Sequence, residues 1–278
     1  MTAVDPQASG SIAPARTPGS GTFAPRPGSA PLLRQVLAQA SMEARLTLRN
    51  GEQLLLAVVI PVIVLFGAVE GSHRIGLSLG RADRSPVDVF TPGVLALAVM
   101  STAFTSLAIA TGFERRYGVI KRLGASPLPR AGLLAGKALA LLLVEALQMV
   151  VVGSVGLALG WRPEVSPGAL VGAVLTLVVG TFAFASLGLF VAGVLRAEAT
   201  LAAANLVYLL LLAGGAVVLP TTAYGAVGHV VDWLPSGALG GAARAALLDG
   251  HVAVGHLLVL ALWAVLGTAL TARTFKWE

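Results

Sequence analysis

Charge-free apolar runs separated by short polar stretches fill most of the chain, at about residues 54–69, 89–113, 138–160, 168–195, 199–219 and 252–272. Each comes near the roughly 20 apolar residues that an α-helix needs to cross bilayer hydrocarbon, so the pattern predicts six membrane spans. Pro61 and Pro92 are tolerable there because neighbouring helices can satisfy the carbonyls they free. Ahead of the first run, Leu33, Val36, Leu37, Ala40, Ala44 and Leu48 recur at helical spacing, with Arg34, Gln35, Gln39, Ser41, Glu43, Arg45 and Arg49 on the other side. Residues 32–53 are therefore expected to form an amphipathic helix lying in the membrane interface, its arginines at the lipid headgroups. Residues 1–31, rich in Pro, Gly, Ser and Thr and lacking both apolar periodicity and a signal-peptide pattern, read as a disordered tail.

One stretch breaks the alternation. Residues 220–250 are too apolar for an exposed loop, yet Pro220, Pro235 and the glycines at 237, 240 and 241 make a poor span. The expected form is two short re-entrant or interfacial helices, 221–231 and 236–248, on the outer side of the membrane. Backbone at that depth needs protein or water around it, which implies packing against the bundle or a second subunit. The fold class expected is all-α: a polytopic membrane protein with six spans, an N-terminal interfacial helix and an outer re-entrant segment before the last span.

Composition agrees. The 278 residues are 56% hydrophobic and 12% charged, with a mean hydropathy of +0.85, against roughly 25% charged in soluble domains. The absence of cysteine excludes disulfides, thiolate nucleophiles and Cys-ligated metals. A net charge of +6 would raise nucleic acid as a partner in a soluble protein; here the placement of the charges reads as topology, and no nucleic-acid partner is expected. Of the 19 Lys and Arg, 14 fall in the N-terminal segment, the 114–137 connection, position 196 and the C-terminus, and five in the alternate connections. The positive-inside rule then places both termini and the 114–137 loop in the cytoplasm.

The densest motif is FERRYGVIKRLGASPLPR, residues 113–130. A short helix over 113–123 is expected to end at Gly124, with Ser126 and Pro127 capping the third span. Val119, Ile120 and Leu123 form an apolar patch among Arg115, Arg116, Lys121 and Arg122, suited to a partner's groove; a topological and lipid-binding role for the cations is the alternative. Within the spans, Glu145 is the one carboxylate set deep in an apolar run, with Gln148 on the same face. It should face protein or water, or be protonated, either on a substrate path or as a neutral acid bonded to Gln148 or to Asn205. Gly132/Gly136 and Gly156/Gly160 have the spacing of close helix approaches. His229, His251, His256 and Asp232 match no metal motif, and Ser154 lacks the elbow pattern of a nucleophile; no catalytic residue and no metal ligand is expected.

The order of these features resembles the ABC-2 type permease family, particularly its drug- and lipid-exporting branch similar to daunorubicin-resistance permeases. The resemblance covers about residues 32–278. It rests on an E-R-R-x-G-x-x-K-R-L-x-x-x-P-L motif between spans two and three (Glu114, Arg115, Arg116, Gly118, Lys121, Arg122, Leu123, Pro127, Leu128) and on the later Leu219, Pro220, Trp233, Leu234, Pro235 and Arg244. It implies a half-transporter that dimerises with itself and is driven by a separate ATP-binding subunit. Glu114, Arg115, Arg116, Gly118, Ile120, Lys121, Arg122 and Leu123 would then form the coupling segment seated on that ATPase. The nearest string to a phosphate loop, GLLAGKA at 132–138, has its first glycine one position too close and lacks the final hydroxyl. This chain should accordingly bind no cofactor, the partner holding ATP and magnesium. Sparse charge in the spans favours a hydrophobic or amphipathic cargo, lipid, glycolipid or drug-like, with Phe66, Phe104, Phe182 and Phe184 as candidate wall residues. A proton-coupled secondary transporter using Glu145, or a membrane scaffold, are the alternatives.

Overall fold

A computed structural model describes residues 30–75, 84–124 and 128–274. The tail expected over 1–31 lies almost wholly outside them, as do the Ser126–Pro127 cap and Lys276. The order is α1 (Leu32–Arg49), α2 (Gly51–Ile75), α3 (Pro86–Met100), a π-helical turn (Ser101–Ser106), α4 (Leu107–Arg116), α5 (Val119–Gly124), α6 (Arg130–Ala158), α7 (Pro167–Val194), α8 (Ala197–Gly214), a 3-10 turn (Thr221–Val227), α9 (Gly228–Val231), α10 (Pro235–Leu247) and α11 (Val254–Thr274). Among the described residues, five apolar helices, Pro86–Arg116, Ala131–Ala158, Pro167–Val194, Ala197–Gly214 and Val254–Thr274, are long enough to cross a membrane, and α2 carries a shorter apolar stretch, Ala57–Ser72.

Local chemistry sets the starts and stops. The hydroxyl of Ser85 accepts from the Asp88 amide while the Asp88 carboxylate accepts from the Ser85 amide, and Pro86 opens α3, a reciprocal cap that satisfies two orphan donors. Ser166 and Pro167 start α7 with half of that arrangement, the Ala169 amide bonded to the Ser166 hydroxyl. At the end of α6, Gly160 adopts φ +95°, so that the Trp161 amide reaches back to the Gly156 carbonyl at 2.9 Å.

The rod made by α3, the π-helical turn and α4 is the centre of the bundle. Every residue from Val87 to Met100 is buried, and α2, α6, α7, α8 and α10 pack around the rod. Small residues permit the closest crossings. A Cβ on Gly188 of α7 would meet the Phe104 carbonyl at 2.8 Å, and one on Gly156 of α6 would meet the Thr91 methyl at 2.7 Å. Helix α11 lies along α7 at the bundle's edge, with Leu258, Leu262 and Val265 exposed as a lipid-facing stripe requires. Of the aromatic wall candidates, Phe104 and Phe184 are core residues in edge-to-face contact, centroids 6.4 Å apart. Phe66 and Phe182 are half-exposed.

Three expectations change. Helix α1 turns Gln39, Ala40 and Ala44 onto α6, with Glu43 half-buried beside them, and leaves Leu33, Leu37 and Leu48 exposed. The reason lies on α6: Gly132 and Gly136 present a groove floor, where a Cβ on Gly136 would strike the Gln39 side chain at 2.6 Å. One glycine pair therefore seats α1, while Gly160 of the other serves as a helix end. The fifth span, expected to reach 219, stops at Gly214, because the chain beyond it turns to face Arg244. The helix expected over 113–123 is two helices.

Candidate functional site

The break between them builds the site. Tyr117 and Gly118 close α4 by turning their amides to the Phe113 and Arg115 carbonyls, at 2.9 and 3.1 Å. Gly118, at φ +69°, takes a left-handed conformation open to glycine at little cost, and α5 leaves at a new angle. Three consecutive side chains at the end of α4 then reach three different places in the bundle.

Glu114 meets Lys137 of α6 at 2.7 Å, and Lys137 meets Glu43 of α1 at 2.9 Å. The three side chains are 21%, 12% and 17% exposed, dry enough for charge to matter far more than at a surface. Gln39 donates to Glu43 at 2.8 Å and Thr47 to the Glu43 carbonyl at 3.1 Å. One ammonium therefore joins α1, α4 and α6. Arg115 donates to the carbonyls of Ala192 and Leu195, where the negative end of the α7 dipole favours a cation. Arg116 pairs with Glu198 in the first turn of α8, an exposed pair of small energetic weight, and its guanidinium lies 5.8 Å from the Tyr117 ring centre.

Helix α5 divides its residues between inside and outside. Ile120 is buried, and with half-buried Leu123 it closes over Thr111, Leu133, Leu134 and Leu189. The apolar patch expected from Val119, Ile120 and Leu123 thus faces mostly inward, because α5 needs an anchor of its own. Exposed at this end are Arg116, Tyr117, Val119, Lys121 and Arg122, a basic surface with two apolar side chains in it.

Deeper in the bundle, Glu145 and Gln148 are fully buried. Gln148 accepts from Thr102 of the π-helical turn at 2.9 Å and donates to the Ala57 carbonyl of α2 at 2.9 Å; Glu145 contacts Thr181 of α7. The expected Glu145–Gln148 and Glu145–Asn205 bonds do not form: each polar group finds a different neighbouring helix, and Asn205 is exposed on α8. A groove of about 390 Å³ opens between α4, α6, α7 and α11, lined mainly by Leu107, Leu134, Leu141, Phe182 and Leu189, with Lys137 and Thr271 among its polar groups.

At the opposite end, the 216–250 region folds as short helices separated by turns. Arg244 of α10, 8% exposed, donates to the carbonyls of Ala216, Val217 and Val218 at 3.0, 3.1 and 3.3 Å. Ala216 sits at φ +52°, a conformation costly for a side-chain-bearing residue. Gly93 and Gly240 leave the room: Cβ atoms on them would meet the Val218 carbonyl at 2.7 Å and the Ala216 carbonyl at 2.9 Å. Pro220 precedes the 3-10 turn and Pro235 opens α10. The exposed Trp233 offers its carbonyl to Trp263 of α11 at 2.9 Å. His256 of α11 lies 3.8 Å from Asp232.

A family model described as ABC-2 type transporter matches residues 34–239. The chain belongs to this family. The match runs from α1 into α10 and includes every residue of the Glu114–Lys137–Glu43 cluster. No curated protein matches the chain. Family members are membrane components of ABC-type transporters that work with an ABC ATPase subunit, which makes this chain a multi-pass permease component.

Two residues central to this permease's cluster escaped the sequence reading. Glu43 counted as part of the polar face of an interfacial helix, and Lys137 as a topology charge just before the third span. The signal was present for Lys137: α6 begins at Arg130, so the lysine stands two turns inside an apolar helix, where an ammonium demands a partner.

Proposed function

We propose that this permease is the transmembrane subunit of an ABC exporter and works as a homodimer with two ATPase subunits. It moves a hydrophobic or amphipathic substrate, lipid-like or drug-like, outward across a bacterial plasma membrane, with both termini cytoplasmic. ATP and magnesium reside on the ATPases. The exposed face of Tyr117, Val119, Lys121 and Arg122 docks on the ATPase, with Gly118 and the inward Ile120 and Leu123 fixing its angle.

The observation that carries this reading is the fan of contacts from Glu114, Arg115 and Arg116 to α6, α7 and α8. A push on α5 reaches all three through side chains only a few bonds long, and reaches α1 through Lys137. The basic end, rich in cations, supports a cytoplasmic placement, and the apolar groove beside Lys137 supports an amphipathic cargo. In proteoliposomes with the ATPase, Glu114→Ala and Arg115→Ala should each keep ATP hydrolysis while cutting transport by tenfold or more. Transport at the wild-type rate in both variants would sink the coupling assignment.

A further inference from the structure

The contacts of Glu145 constrain where the hydrogen-bond protons around it can lie. The Thr181 hydroxyl oxygen lies 2.5 Å from Glu145 Oε2 and 2.7 Å from the Leu177 carbonyl one turn earlier in α7. A threonine hydroxyl carries one hydrogen and two acceptor lone pairs, so it cannot donate to both. Donation to the carbonyl four residues back is the ordinary arrangement for a helical threonine. The contact with Glu145 then needs a second hydrogen, which a protonated carboxyl supplies. The result is a directional chain: Glu145 O–H to Thr181, Thr181 O–H to Leu177. The other carboxyl oxygen, Oε1, is buried without a hydrogen-bond partner, a far smaller penalty for the carbonyl of a neutral acid than for a carboxylate.

Among the described residues of α6 and the helices packed around it, no cation stands beside Glu145. Helix α7 has no ionisable residue, nor has the π-helical turn, and α3 has Asp88 in its first turn. Helix α4 holds its charges, Glu114, Arg115 and Arg116, in its last turn; on α2 they are Glu52 at the start and Glu70, His73 and Arg74 at the end; on α1 they are Arg34, Glu43, Arg45 and Arg49. On α6 itself, Arg130 opens the helix and Lys137 lies eight residues from Glu145, about 12 Å along the axis, already engaged by Glu43 and Glu114.

We propose that Glu145 is a proton-binding site, occupied while α6 and α7 are packed as seen here. A cavity of about 70 Å³ lined by Glu43, Thr102, Lys137 and Val144, among others, follows α6 from the basic end to the residue beside Glu145. It has room for about two waters, and Val144 is its nearest approach to Glu145 along α6. A transport cycle that parts α6 from α7 would expose the acid and exchange its proton there. This inference depends on α6 and α7 lying in the membrane and is independent of the coupling reading.

Infrared spectroscopy of the full-length protein reconstituted in lipid tests it. The wild type should show a carboxylic-acid C=O band that persists at neutral pH, disappears in Glu145→Gln, and moves to higher wavenumber in Thr181→Val, which removes the acceptor. Identical acid-region spectra for wild type and Glu145→Gln would overturn the proposal. Should Glu145→Gln fail to fold, an acid band unmoved by Thr181→Val would overturn it as well.

Discussion

Lys137→Ala is expected to be the most damaging single change in the basic half of the molecule. It removes the cation held at 2.7 Å by Glu114 and at 2.9 Å by Glu43, leaving two carboxylates facing one another in a site sheltered from water. Breaking a buried pair by deleting one partner costs about 3 to 5 kcal/mol, because the surviving charge is stranded; here two survive. The unfolding temperature of the detergent-solubilised protein should fall clearly, and α1 should become accessible to proteases at Arg45 and Arg49. The triple variant E43Q/E114Q/K137M separates folding from coupling. Neutral groups in place of a buried ion cluster cost little or even stabilise, so the triple variant should regain most of the lost stability. Without the charged joint between α1, α4 and α6 it should still fail to transport. Wild-type stability in Lys137→Ala would show that the cluster holds nothing together.

Arg244→Ala should be nearly as severe at the other end. The guanidinium is the donor for three carbonyls in the turn after α8, and a buried acceptor left unsatisfied costs about 1 to 3 kcal/mol. The left-handed Ala216 loses its restraint at the same time. Arg244→Lys should fail to rescue, since a compact ammonium cannot replace a planar fork that spans several acceptors. The readout is the thiol reactivity of a cysteine placed at Val218, 6% exposed in the native fold. It should rise strongly in both variants, and unchanged reactivity would contradict the role given to Arg244.

Much of this architecture was legible because the bilayer imposes a simple code. Apolar runs long enough to span appear as helices close to where the charge-free pattern put them, and the 220–250 region, with its prolines and glycines, folds as the short helices its composition required. What stayed hidden has physical causes. A charge-free criterion starts the third span after Lys137, and so conceals a buried ion pair inside it. Helical periodicity divides α1 into an apolar and a polar face but cannot see that two glycines on α6 seat Gln39, Ala40 and Ala44 across that division and leave the leucines exposed. The glycine within the 113–123 stretch was read as part of a helix, although Gly118 is the break that redirects α5. The basic motif was legible as a partner surface; that Glu114, Arg115 and Arg116 also serve the protein's own helices follows only from the return of α6, α7 and α8 to the same end. Glu145 announced itself as a buried acid, but its partner on α7, Thr181, was one of many hydroxyls in apolar runs.

The claim that the α4–α5 corner docks an ATPase is tested most directly by co-purification. The tagged protein would be drawn from its native membranes alongside a variant carrying Tyr117→Ala, Lys121→Glu and Arg122→Glu, all at exposed positions, so that the internal contacts of Glu114, Arg115 and Ile120 persist. The account predicts that an ATPase with nucleotide-binding motifs accompanies the wild type and is lost from the variant, while both unfold at the same temperature. Equal recovery of that ATPase with both proteins would contradict it.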